Sequence, residues 1–442
     1  AYDIRGIYGS ELTDEIAEDV GQAFATTIPG KQAVGYDARV SSPSLAKNLI
    51  KGLRRAGADV IDLGMVPTPL LYFSIHKLGL AGGVMVTGSH NPPEYNGFKL
   101  CRGSMTLYGP EIEALGEKVA AKDFAEGSGK LESYDILQDY LEFVKERITL
   151  TKGLKVVLDS ANGTAGAVAP RLFRELGCEV IELYSDPDGN FPNHEADPTV
   201  DKNLTDLINK VRETGADFGV GYDGDSDRAG FVTGEGSIIR GDQSVILFAR
   251  DILAHHPGRP IIFEVKCSQA VTEDVLANGG KPIMYRTGHS FIKKKIKQED
   301  AVLAGEMSGH FFFADDYPGY DDGIYASVRM AQIISKTGKS LGELLDSIPK
   351  YHSTPEIRIE CPDDLKFEVV DGITKAFQDD HDTITVDGVR VEFGDGWGLV
   401  RASNTQPAII LRFEAKTSER LSAIQDIFRK VFEGYDVLKG KL

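Results

Sequence analysis

Short apolar segments alternate with amphipathic segments along most of the chain, and three stretches repeat one order of strand, loop, helix and strand. These stretches cover residues 33–64, 155–184 and 260–286. The predicted helices end at glycines, which are Gly57, Gly177, and Gly279 or Gly280. A glycine in the left-handed conformation ends a helix at little cost. The matched lengths predict three related βαβ units, although any α/β protein has similar segments and that plainer interpretation stays open.

The pattern changes near Pro362, where helices bracket a set of alternating strands. Helices are predicted over residues 363–378 and 418–435. Between them, Asp387-Gly388 is a favoured sequence for a two-residue hairpin turn. This order is typical of an α+β domain.

The sequence therefore predicts three related α/β domains with mixed sheets plus a C-terminal α+β domain, arranged around a central cleft. A chain of 442 residues is too long for one ordinary core, because a domain holds about 150 residues. The predicted domains comprise residues 1–135, 136–237, 238–350 and 351–442.

Net charge and apolar content exclude several classes of partner. The formal net charge of −18 repels nucleic acid and anionic membranes, and no apolar run approaches the roughly 20 residues that cross a bilayer. We expect a soluble protein with no nucleic-acid or membrane partner, acting as a monomer or a weak homo-oligomer. An anionic small molecule needs local Arg, Lys and backbone N–H groups, so basic loops are of interest.

The four cysteines are widely scattered and form no C-x-x-C pair. This pattern fits a reducing compartment, and the opening residues AYDIRG show no charged-then-apolar signal pattern. We therefore expect a cytoplasmic location.

The segment VMVTGSHNPPEYNGFK places Ser89 directly after a predicted strand, in a loop that glycine and proline keep out of a helix. We expect the hydroxyl to be exposed. A serine nucleophile needs a base or a strong electrostatic site, which His90, Asn91 and Lys99 can supply. The alternative is an ordinary turn serine beside a histidine, since the G-x-S-x-G nucleophile motif is absent.

The segment FGVGYDGDSDRAG sets Asp223, Asp225 and Asp227 at alternate positions after an apolar strand. A turning loop can aim three such carboxylates at one hard cation, and Mg²⁺ suits them together with a phosphate oxygen. An EF-hand is excluded, because it requires Gly where Arg228 stands and Glu where Gly234 stands. A solvated acidic turn remains the alternative.

The segment VLAGEMSGHFFF presents Glu306, Ser308 and His310 between two glycines. The glutamate can accept hydrogen bonds from adjacent sugar hydroxyls, and the serine can donate or accept one. The same loop is also compatible with an ordinary turn at a strand edge.

The segment LVRASNTQPAIILRF carries the basic loop that the overall charge requires. Arg401 offers a planar fork for phosphate oxygens, and Ser403, Asn404 and Thr405 add hydroxyl and amide donors. A capped turn is the alternative.

Two further stretches add cationic or donor groups, which are Lys266, Thr287, Gly288, His289 and Lys293. A lysine-rich helix start is usually a solvated face. A histidine beside glycine is more often structural than catalytic unless the cleft brings it to the substrate.

The loops TGSHNP, DGDSDR, GEMSGH and RASNTQP, in this order and spacing, resemble those of the α-D-phosphohexomutase superfamily. The similarity runs from YDIRG near the start to the C-terminal helix. GEMSGH resembles the bacterial and archaeal phosphomannomutase/phosphoglucomutase branch more than the phosphoglucosamine mutases. The four-domain fold of that family agrees with the domain count above.

The resemblance implies reversible phosphoryl transfer between C1 and C6 of mannose or glucose phosphates, through a phosphoserine and a 1,6-bisphosphate intermediate. It implies Mg²⁺ as cofactor. It also implies that glucose 1,6-bisphosphate or mannose 1,6-bisphosphate is the activator that phosphorylates Ser89.

The resemblance also assigns roles to residues. Ser89, Asp223, Asp225 and Asp227 match the metal ligands, and Ser89 matches the phosphoserine. The residues implied to bind substrate are Tyr2, Lys266, Thr287, Gly288, His289, Glu306, Ser308, His310, Arg401, Ser403, Asn404 and Thr405. The residues expected to act on the reacting phosphate are Arg5, His90, Lys99, Arg228 and His289, with Lys99 and His289 as candidates for proton transfer.

Three positions depart from the family pattern: Gly88 stands where Ala is common, Ser226 where Gly is common, and Gln406 where Glu is usual. None removes an implied ligand, but Gln406 makes the phosphate-anchoring loop less acidic.

Other functions stay open. Asp223 could be an aspartyl nucleophile of a phosphatase or mutase, with Ser89 incidental. The chain could also be a phosphoglucosamine mutase, or a sugar-phosphate sensor that keeps the pocket without the chemistry.

Overall fold

The computed structural model describes residues 3–403 and 407–442. Among these residues, no helix has both the length and the apolar composition needed to cross a membrane. The described chain folds into four consecutive sheet-based domains.

The first domain surrounds a seven-stranded mixed sheet. Its strands are β1 (Ile4–Ile7), β2 (Gln32–Tyr36), β3 (Val60–Met65), β4 (Gly82–Val86), β5 (Tyr95–Arg102), β6 (Met105–Thr106) and β7 (Leu131–Ser133). Its helices are α1 (Asp14–Thr27), α2 (Ser42–Arg55), α3 (Thr68–Leu78) and α4 (Pro110–Ala121). The strand order is β1-β5-β4-β2-β3-β7, with β6 paired to β5.

The second domain surrounds a five-stranded sheet. Its strands are β8 (Lys155–Asp159), β9 (Glu179–Leu183), β10 (Phe218–Tyr222), β11 (Ala229–Thr233) and β12 (Ile238–Ile239). Its helices are α5 (Leu137–Lys145), α6 (Ala169–Glu175) and α7 (Thr205–Thr214), with 3-10 turns at Thr164–Ala167 and Asp201–Leu204. The strand order is β12-β11-β10-β8-β9.

The third domain surrounds a four-stranded sheet. Its strands are β13 (Pro260–Glu264), β14 (Lys281–Tyr285), β15 (Leu303–Gly305) and β16 (Phe311–Phe313). Its helices are α8 (Gly241–Leu253), α9 (Gln269–Ala277), α10 (His289–Glu299), α11 (Gly323–Thr337) and α12 (Leu341–Asp346). The strand order is β14-β13-β15-β16.

The fourth domain packs two helices on a six-stranded sheet. Its strands are β17 (His352–Ser353), β18 (Ile357–Glu360), β19 (Asp382–Ile384), β20 (Val389–Glu392), β21 (Gly396–Ala402) and β22 (Ala408–Ala415). Its helices are α13 (Lys366–Gln378) and α14 (Ser418–Phe432). All of its described strand pairs are antiparallel.

The first three domains share one topology. In each, the first strand of the βαβ unit lies between two parallel neighbours, and an antiparallel strand pairs with one of those neighbours. The predicted helix-ending glycines adopt positive φ, with Gly57 at 92°, Gly177 at 87° and Gly279 at 73°. The predicted fold class of three related α/β domains with mixed sheets plus a C-terminal domain is confirmed.

Equivalent hairpins of the three domains carry the polar loops. Each hairpin joins a parallel strand to its antiparallel neighbour: β4 to β5, β10 to β11, and β15 to β16. Each connection lies at the carboxyl end of the parallel strands, where open α/β sheets bind ligands.

The hydrophobic cores distinguish the fourth domain from the others. The largest cluster of buried apolar side chains runs through the first three domains, whereas the fourth has a core of its own. A small cluster of Val265, Trp397 and Leu399 joins the third and fourth domains.

The predicted two-residue turn at Asp387-Gly388 is wrong. Strand β19 ends at Ile384, which pairs with Arg390, so four residues separate β19 from β20. The Asp387 carboxylate accepts hydrogen bonds from Arg401 Nε at 2.9 Å and from the Thr287 backbone N–H at 3.1 Å. These tertiary contacts accompany a wider loop than local turn preference predicts.

Candidate active site

Three hairpin loops meet at one cavity between the first three domains. We call them the serine loop (residues 87–94), the aspartate loop (223–228) and the glutamate loop (306–310). The residues that line this cavity are Arg5, Ser89, Lys99, Arg228, Thr287, Gly288, His289, Glu306, Ser308 and His310. All ten are candidates singled out from the sequence, and the fold gathers residues that lie up to 305 positions apart.

Ser89 is held in an uncommon backbone conformation beside the aspartate loop. Its φ is 51°, in the left-handed region of the backbone that residues other than glycine rarely adopt. The hydroxyl Oγ donates to Asp223 Oδ2 at 3.0 Å and lies 3.2 Å from His90 Nδ1. Contrary to the sequence-based expectation of an exposed hydroxyl, Ser89 is only 1% exposed, because the aspartate loop of the second domain covers it.

A glycine permits this close approach. A Cβ atom on residue 224 would lie 2.6 Å from the Ser89 carbonyl oxygen. Any larger residue there would push the serine and aspartate loops apart.

The three aspartates of the aspartate loop converge and are fully buried. One carboxylate oxygen from each of Asp223, Asp225 and Asp227 lies within 4.8 Å of the others. Lys99 Nζ donates to Asp225 Oδ2 at 2.7 Å and also to Asp227 Oδ2. Thr68 Oγ1 donates to Asp225 Oδ2 at 2.6 Å.

This arrangement fits a bound divalent cation. Oδ1 of Asp225 is buried and has no hydrogen-bond partner among the described residues, and the buried Oδ1 of Asp227 makes no hydrogen bond there but lies 3.4 Å from His310 Nε2. Burying an anionic oxygen without a partner is costly unless a cation compensates it. Hard oxygen ligands of this kind suit Mg²⁺.

Electrostatics set the protonation of the neighbouring groups. Burial alone lowers the pKa of Lys99, but Asp225 and Asp227 raise it above its usual value, so the ammonium stays charged. Burial, Arg228 and Arg5 lower the pKa of His90 well below its usual value, which keeps the ring neutral. The raised pKa of Lys99 favours charge neutralisation over proton transfer for this residue.

The glutamate loop belongs to the third domain and is fixed by hydrogen bonds within that domain. Glu306 Oε1 accepts the Gly288 backbone N–H at 2.6 Å, and Oε2 lies 2.8 Å from His310 Nδ1. Burial raises the pKa of Glu306, but His310 and the Gly288 N–H lower it to about 2. Ser308 Oγ lies 3.0 Å from His310 Nδ1, so the loop presents a carboxylate, a hydroxyl and an imidazole together.

His289 begins helix α10 between two buried acids. Its Nε2 lies 3.5 Å from Asp3 Oδ1, and its Nδ1 lies 3.7 Å from Asp321 Oδ2. Lys293 Nζ donates to Asp321 Oδ1 at 2.7 Å. Arg5 completes this side of the cavity and donates to Asn91 Oδ1 of the serine loop at 2.6 Å.

The fourth domain places its polar groups at the neighbouring part of the cleft. Arg401 is buried and bonded to Asp387, while Ser403 donates its backbone N–H to the Ala408 carbonyl. Tyr2, Asn404 and Thr405 lie outside the described residues.

Lys266 and His90 line a larger adjoining cavity, which shares Arg228 and Ser308 with the first. Lys266 Nζ lies 3.2 Å from Glu356 Oε2 and 3.5 Å from Glu264 Oε1. Its position is therefore set by both the third and fourth domains.

Several residues that shape the site were not singled out from the sequence. They are Asp3, Asp37, Arg39, Thr68, Glu264, Asp321 and Asp387. Asp37 and Glu264 each stand at the end of the first strand of a βαβ unit, and that shared position is a signal the sequence contains. Thr68 carries no local signal, and the turn sequence at Asp387 does not indicate a role in the site, since the partners of both residues are more than ten residues away.

The structure accounts for two departures from the family pattern. A Cβ on residue 88 would lie 2.5 Å from Arg39 Cζ, so Gly88 leaves room for the guanidinium. Ser226 has φ 63°, and its Oγ lies 3.0 Å from Thr164 Oγ1, a hydrogen bond that helps to hold the left-handed turn. Gln406 lies outside the described residues.

Four family models together match most of the chain. The model described as phosphoglucomutase/phosphomannomutase, alpha/beta/alpha domain I matches residues 1–126, that of domain II matches 138–236, and that of domain III matches 240–351. The corresponding C-terminal domain model matches residues 356–431.

Individual proteins are similar to this chain over nearly their whole length. The phosphomannomutase/phosphoglucomutase of Pseudomonas aeruginosa is 46% identical over 441 residues, which is 99% of this chain and 95% of that protein. The phosphomannomutase/phosphoglucomutase of Pseudomonas putida is 48% identical and covers 97% of this chain and 94% of its own. The crystal structure of a phosphoglucomutase/phosphomannomutase family protein from Burkholderia thailandensis superimposes with a TM-score of 0.94 at 42% identity, covering 100% of this chain and 98% of that one.

Proposed function

The chain belongs to the phosphoglucomutase/phosphomannomutase family of the α-D-phosphohexomutase superfamily, and on that basis we propose that Ser89 is its phosphoryl carrier. The enzyme is a phosphohexomutase, an isomerase that transfers a phosphoryl group between C1 and C6 of hexose phosphates. The observation that carries the proposal is the 3.0 Å contact between Ser89 Oγ and Asp223 within the buried aspartate cluster.

In the forward half-reaction, a hydroxyl oxygen of the bound hexose phosphate attacks phosphorus on phospho-Ser89. The bond from phosphorus to Ser89 Oγ breaks as the new bond forms, giving a hexose 1,6-bisphosphate. The sugar hydroxyl loses one proton to a base, for which His289 is our candidate, and Ser89 Oγ takes up one proton as the leaving group, so that the half-reaction consumes no net proton. The second half-reaction returns the other phosphate to Ser89 after the sugar has turned around.

The chain's own charges support this transfer. Asp223, Asp225 and Asp227, together with an oxygen on Ser89, would hold Mg²⁺, which supplies charge neutralisation to the phosphoryl oxygens when bound. The buried Lys99 and the partly buried Arg228 are cations beside carboxylates of this cluster, Asp225 and Asp223 respectively. Phosphoryl transfer depends mainly on positioning and charge neutralisation, and the site concentrates both.

We propose that Glu306 and Ser308 bind adjacent sugar hydroxyls, and that Lys266, Arg401, Ser403, Asn404 and Thr405 hold the phosphate that does not react. If Glu306 and Ser308 form hydrogen bonds with O3 and O4 of the sugar, these contacts do not distinguish sugars that differ only in the configuration at C2. Glucose 1-phosphate and mannose 1-phosphate should then both react, with kcat/KM values within a hundredfold, or about 2.7 kcal/mol. Steady-state assays of the two sugars, with glucosamine 1-phosphate alongside, check this, and a larger gap contradicts it.

Four finer points remain part of the proposal. Glucose 1,6-bisphosphate or mannose 1,6-bisphosphate would phosphorylate Ser89 and so activate the enzyme. The domain boundaries are those given above, at residues 135, 237 and 350. The four cysteines are free and buried, which supports a reducing, cytoplasmic location. The enzyme would act as a monomer or weak homo-oligomer.

The experiment compares Ser89→Ala with Asp223→Ala, using the exposed Ser128→Ala as control. We expect both site variants to lose at least about a thousandfold in kcat, since each removes a participant in the transfer. Intact-mass spectrometry after incubation with glucose 1,6-bisphosphate should show one phosphate on the wild type and on Ser128→Ala, and none on Ser89→Ala. An active Ser89→Ala would instead favour an aspartyl nucleophile.

A further inference from the structure

A single buried arginine organises the backbone of the serine loop. Arg39 follows strand β2, is 1% exposed and does not line the cavity. Its guanidinium makes hydrogen bonds with all five N–H groups. The acceptors are Asp37 Oδ2 at 3.1 Å, Pro92 O at 2.5 Å, Tyr95 O at 2.9 Å, Ser89 O at 2.8 Å and Asn91 O at 2.6 Å.

Four of these five acceptors are backbone carbonyls of residues 89–95. A loop offers few hydrogen bonds within itself, so its conformation depends on outside partners. Because the guanidinium is planar and rigid, it fixes the carbonyls relative to one another as well as to β2.

Asp37 orients the arginine and the loop at once. Its Oδ2 accepts from Arg39 Nε, from Thr87 Oγ1 at 2.8 Å and from the Gly88 backbone N–H at 3.1 Å. Its Oδ1 accepts from Ser42 Oγ at 2.5 Å. The Asp37 carboxylate thus binds the first residues of the serine loop, next to β4, while Arg39 binds the carbonyls that follow them.

The bonded carbonyls include that of the residue in the unfavourable conformation. Ser89 has φ 51°, and strained conformations persist only where surrounding contacts hold them. The strain aims Ser89 Oγ at Asp223. From the second domain, the Phe191 ring covers the guanidinium with its centre 5.2 Å from Cζ, so both domains confine the arginine.

We propose that Arg39, oriented by Asp37, is a positioning residue for phosphoryl transfer: it holds Ser89 in the left-handed conformation that aims Oγ at the aspartate cluster. This inference rests on the proposed role of Ser89 as phosphoryl carrier. It assigns no contact with substrate to Arg39, since the side chain lies behind the serine loop and outside the cavity.

A positioning role and a merely structural role differ in what they change. Loss of a structural arginine lowers the free energy of unfolding and leaves the folded enzyme active. Loss of a positioning arginine lowers kcat, because a displaced nucleophile reacts slowly even when the substrate is bound. KM should change little, since the cavity residues are untouched.

The test compares Arg39→Lys with Arg329→Lys as matched control. Arg329 is also buried, at 5% exposed against 1% for Arg39, and pairs with Asp315 and Asp251, away from the cavity. We expect Arg39→Lys to lower kcat about a hundredfold with KM within threefold of wild type. The rate at which glucose 1,6-bisphosphate phosphorylates Ser89, followed by intact mass, should fall in parallel. Arg329→Lys should lower the melting temperature and keep kcat and the phosphorylation rate.

A folded Arg39→Lys with kcat and phosphorylation rate within threefold of wild type would overturn the inference. If that variant shows no cooperative unfolding, Asp37→Asn replaces it and should lower kcat about tenfold; wild-type kcat in Asp37→Asn then overturns the inference. Failure of the proposed function is separate, because it appears as activity retained in Ser89→Ala whatever happens at Arg39.

Discussion

At the scale of single residues, the site concentrates charge where water cannot reach. Asp223, Asp225 and Asp227 are fully buried. Burial and the other two aspartates raise the pKa of Asp223 well above its usual value. Lys99 neutralises part of this charge; among the described residues Asp225 Oδ1 has no hydrogen-bond partner, and Asp227 Oδ1 lies 3.4 Å from His310 Nε2. The residual charge is what a divalent cation would neutralise.

The first prediction concerns stabilisation by Mg²⁺. A ligand that binds only the folded state stabilises it by about 2.7 kcal/mol at a hundredfold excess over its Kd. Adding MgCl₂ should therefore raise the melting temperature of the wild type by several degrees. Asp225→Asn, which loses one anionic ligand, should show less than a third of that rise in differential scanning fluorimetry.

The exposed Asp186→Asn serves as control and should respond to Mg²⁺ like the wild type. Equal responses of Asp225→Asn and the wild type would show that Asp225 does not hold the cation.

At the scale of elements, the equivalent loops of the first three domains contribute different chemical groups to the site. The serine loop follows β4, the aspartate loop follows β10 and the glutamate loop follows β15. The acid that ends the first strand of each βαβ unit also differs in use. Asp37 binds the serine loop and Glu264 binds the Met307 N–H of the glutamate loop, whereas Asp159 contacts His194.

His194 lies in the long connection after β9, with both ring nitrogens facing acceptors. Its Nε2 is 3.1 Å from Asp159 Oδ2 and its Nδ1 is 2.9 Å from the Glu195 carbonyl. Burial lowers the pKa of His194, but the hydrogen bond and charge of Asp159 outweigh it and raise the pKa above its usual value. The charged imidazolium satisfies both acceptors.

The second prediction follows from the sign of this shift. A histidine whose pKa is raised on folding adds stability below its unfolded pKa of about 6.5, and this contribution is lost as pH rises through the folded pKa. His194→Ala should therefore lower the free energy of unfolding by about 1 kcal/mol more at pH 6 than at pH 9. Urea denaturation at both pH values measures the difference. An equal cost of His194→Ala at both pH values would contradict the pairing with Asp159.

At the scale of the whole molecule, three domains share a core and the fourth is attached by a smaller contact. Arg390 is buried against Trp397, 3.8 Å from Cζ to the ring centre, and donates to the Val265 and Cys267 carbonyls of the third domain. Thr287 and Arg401 meet at Asp387, so the third domain and the basic loop share one carboxylate.

The third prediction concerns Asp387. Asp387→Ala should raise KM for glucose 1-phosphate about tenfold, or about 1.4 kcal/mol, because Arg401 loses a carboxylate partner and the link to Thr287 is cut. The change in kcat should be smaller, since the serine and aspartate loops are not touched. Steady-state kinetics measures both constants. Asp382→Ala, at an exposed position of the same hairpin, should leave KM unchanged. A wild-type KM in Asp387→Ala would contradict the proposal that Asp387 orients Arg401.

Much of the fold and site is readable from the chain alone, since the signals are local. Alternating apolar segments and helix-ending glycines mark the βαβ units, and TGSHNP, DGDSDR and GEMSGH each follow an apolar strand. The carboxyl ends of parallel strands lie at one edge of a sheet, so the position of these loops follows from their place in the sequence.

The tertiary structure decided what local sequence does not encode. Ser89 is buried because the Gly224 backbone of another domain packs on its carbonyl, and Asp387 widens its turn while bonding groups in two domains. Nothing in the local sequence marks Arg39. Its role follows from the folded structure, in which four backbone carbonyls of residues 89–95 accept hydrogen bonds from its guanidinium. The residue types and their order along the strands are properties of the chain, whereas burial, charge balance and nucleophile orientation arise from contacts between segments that are distant in sequence.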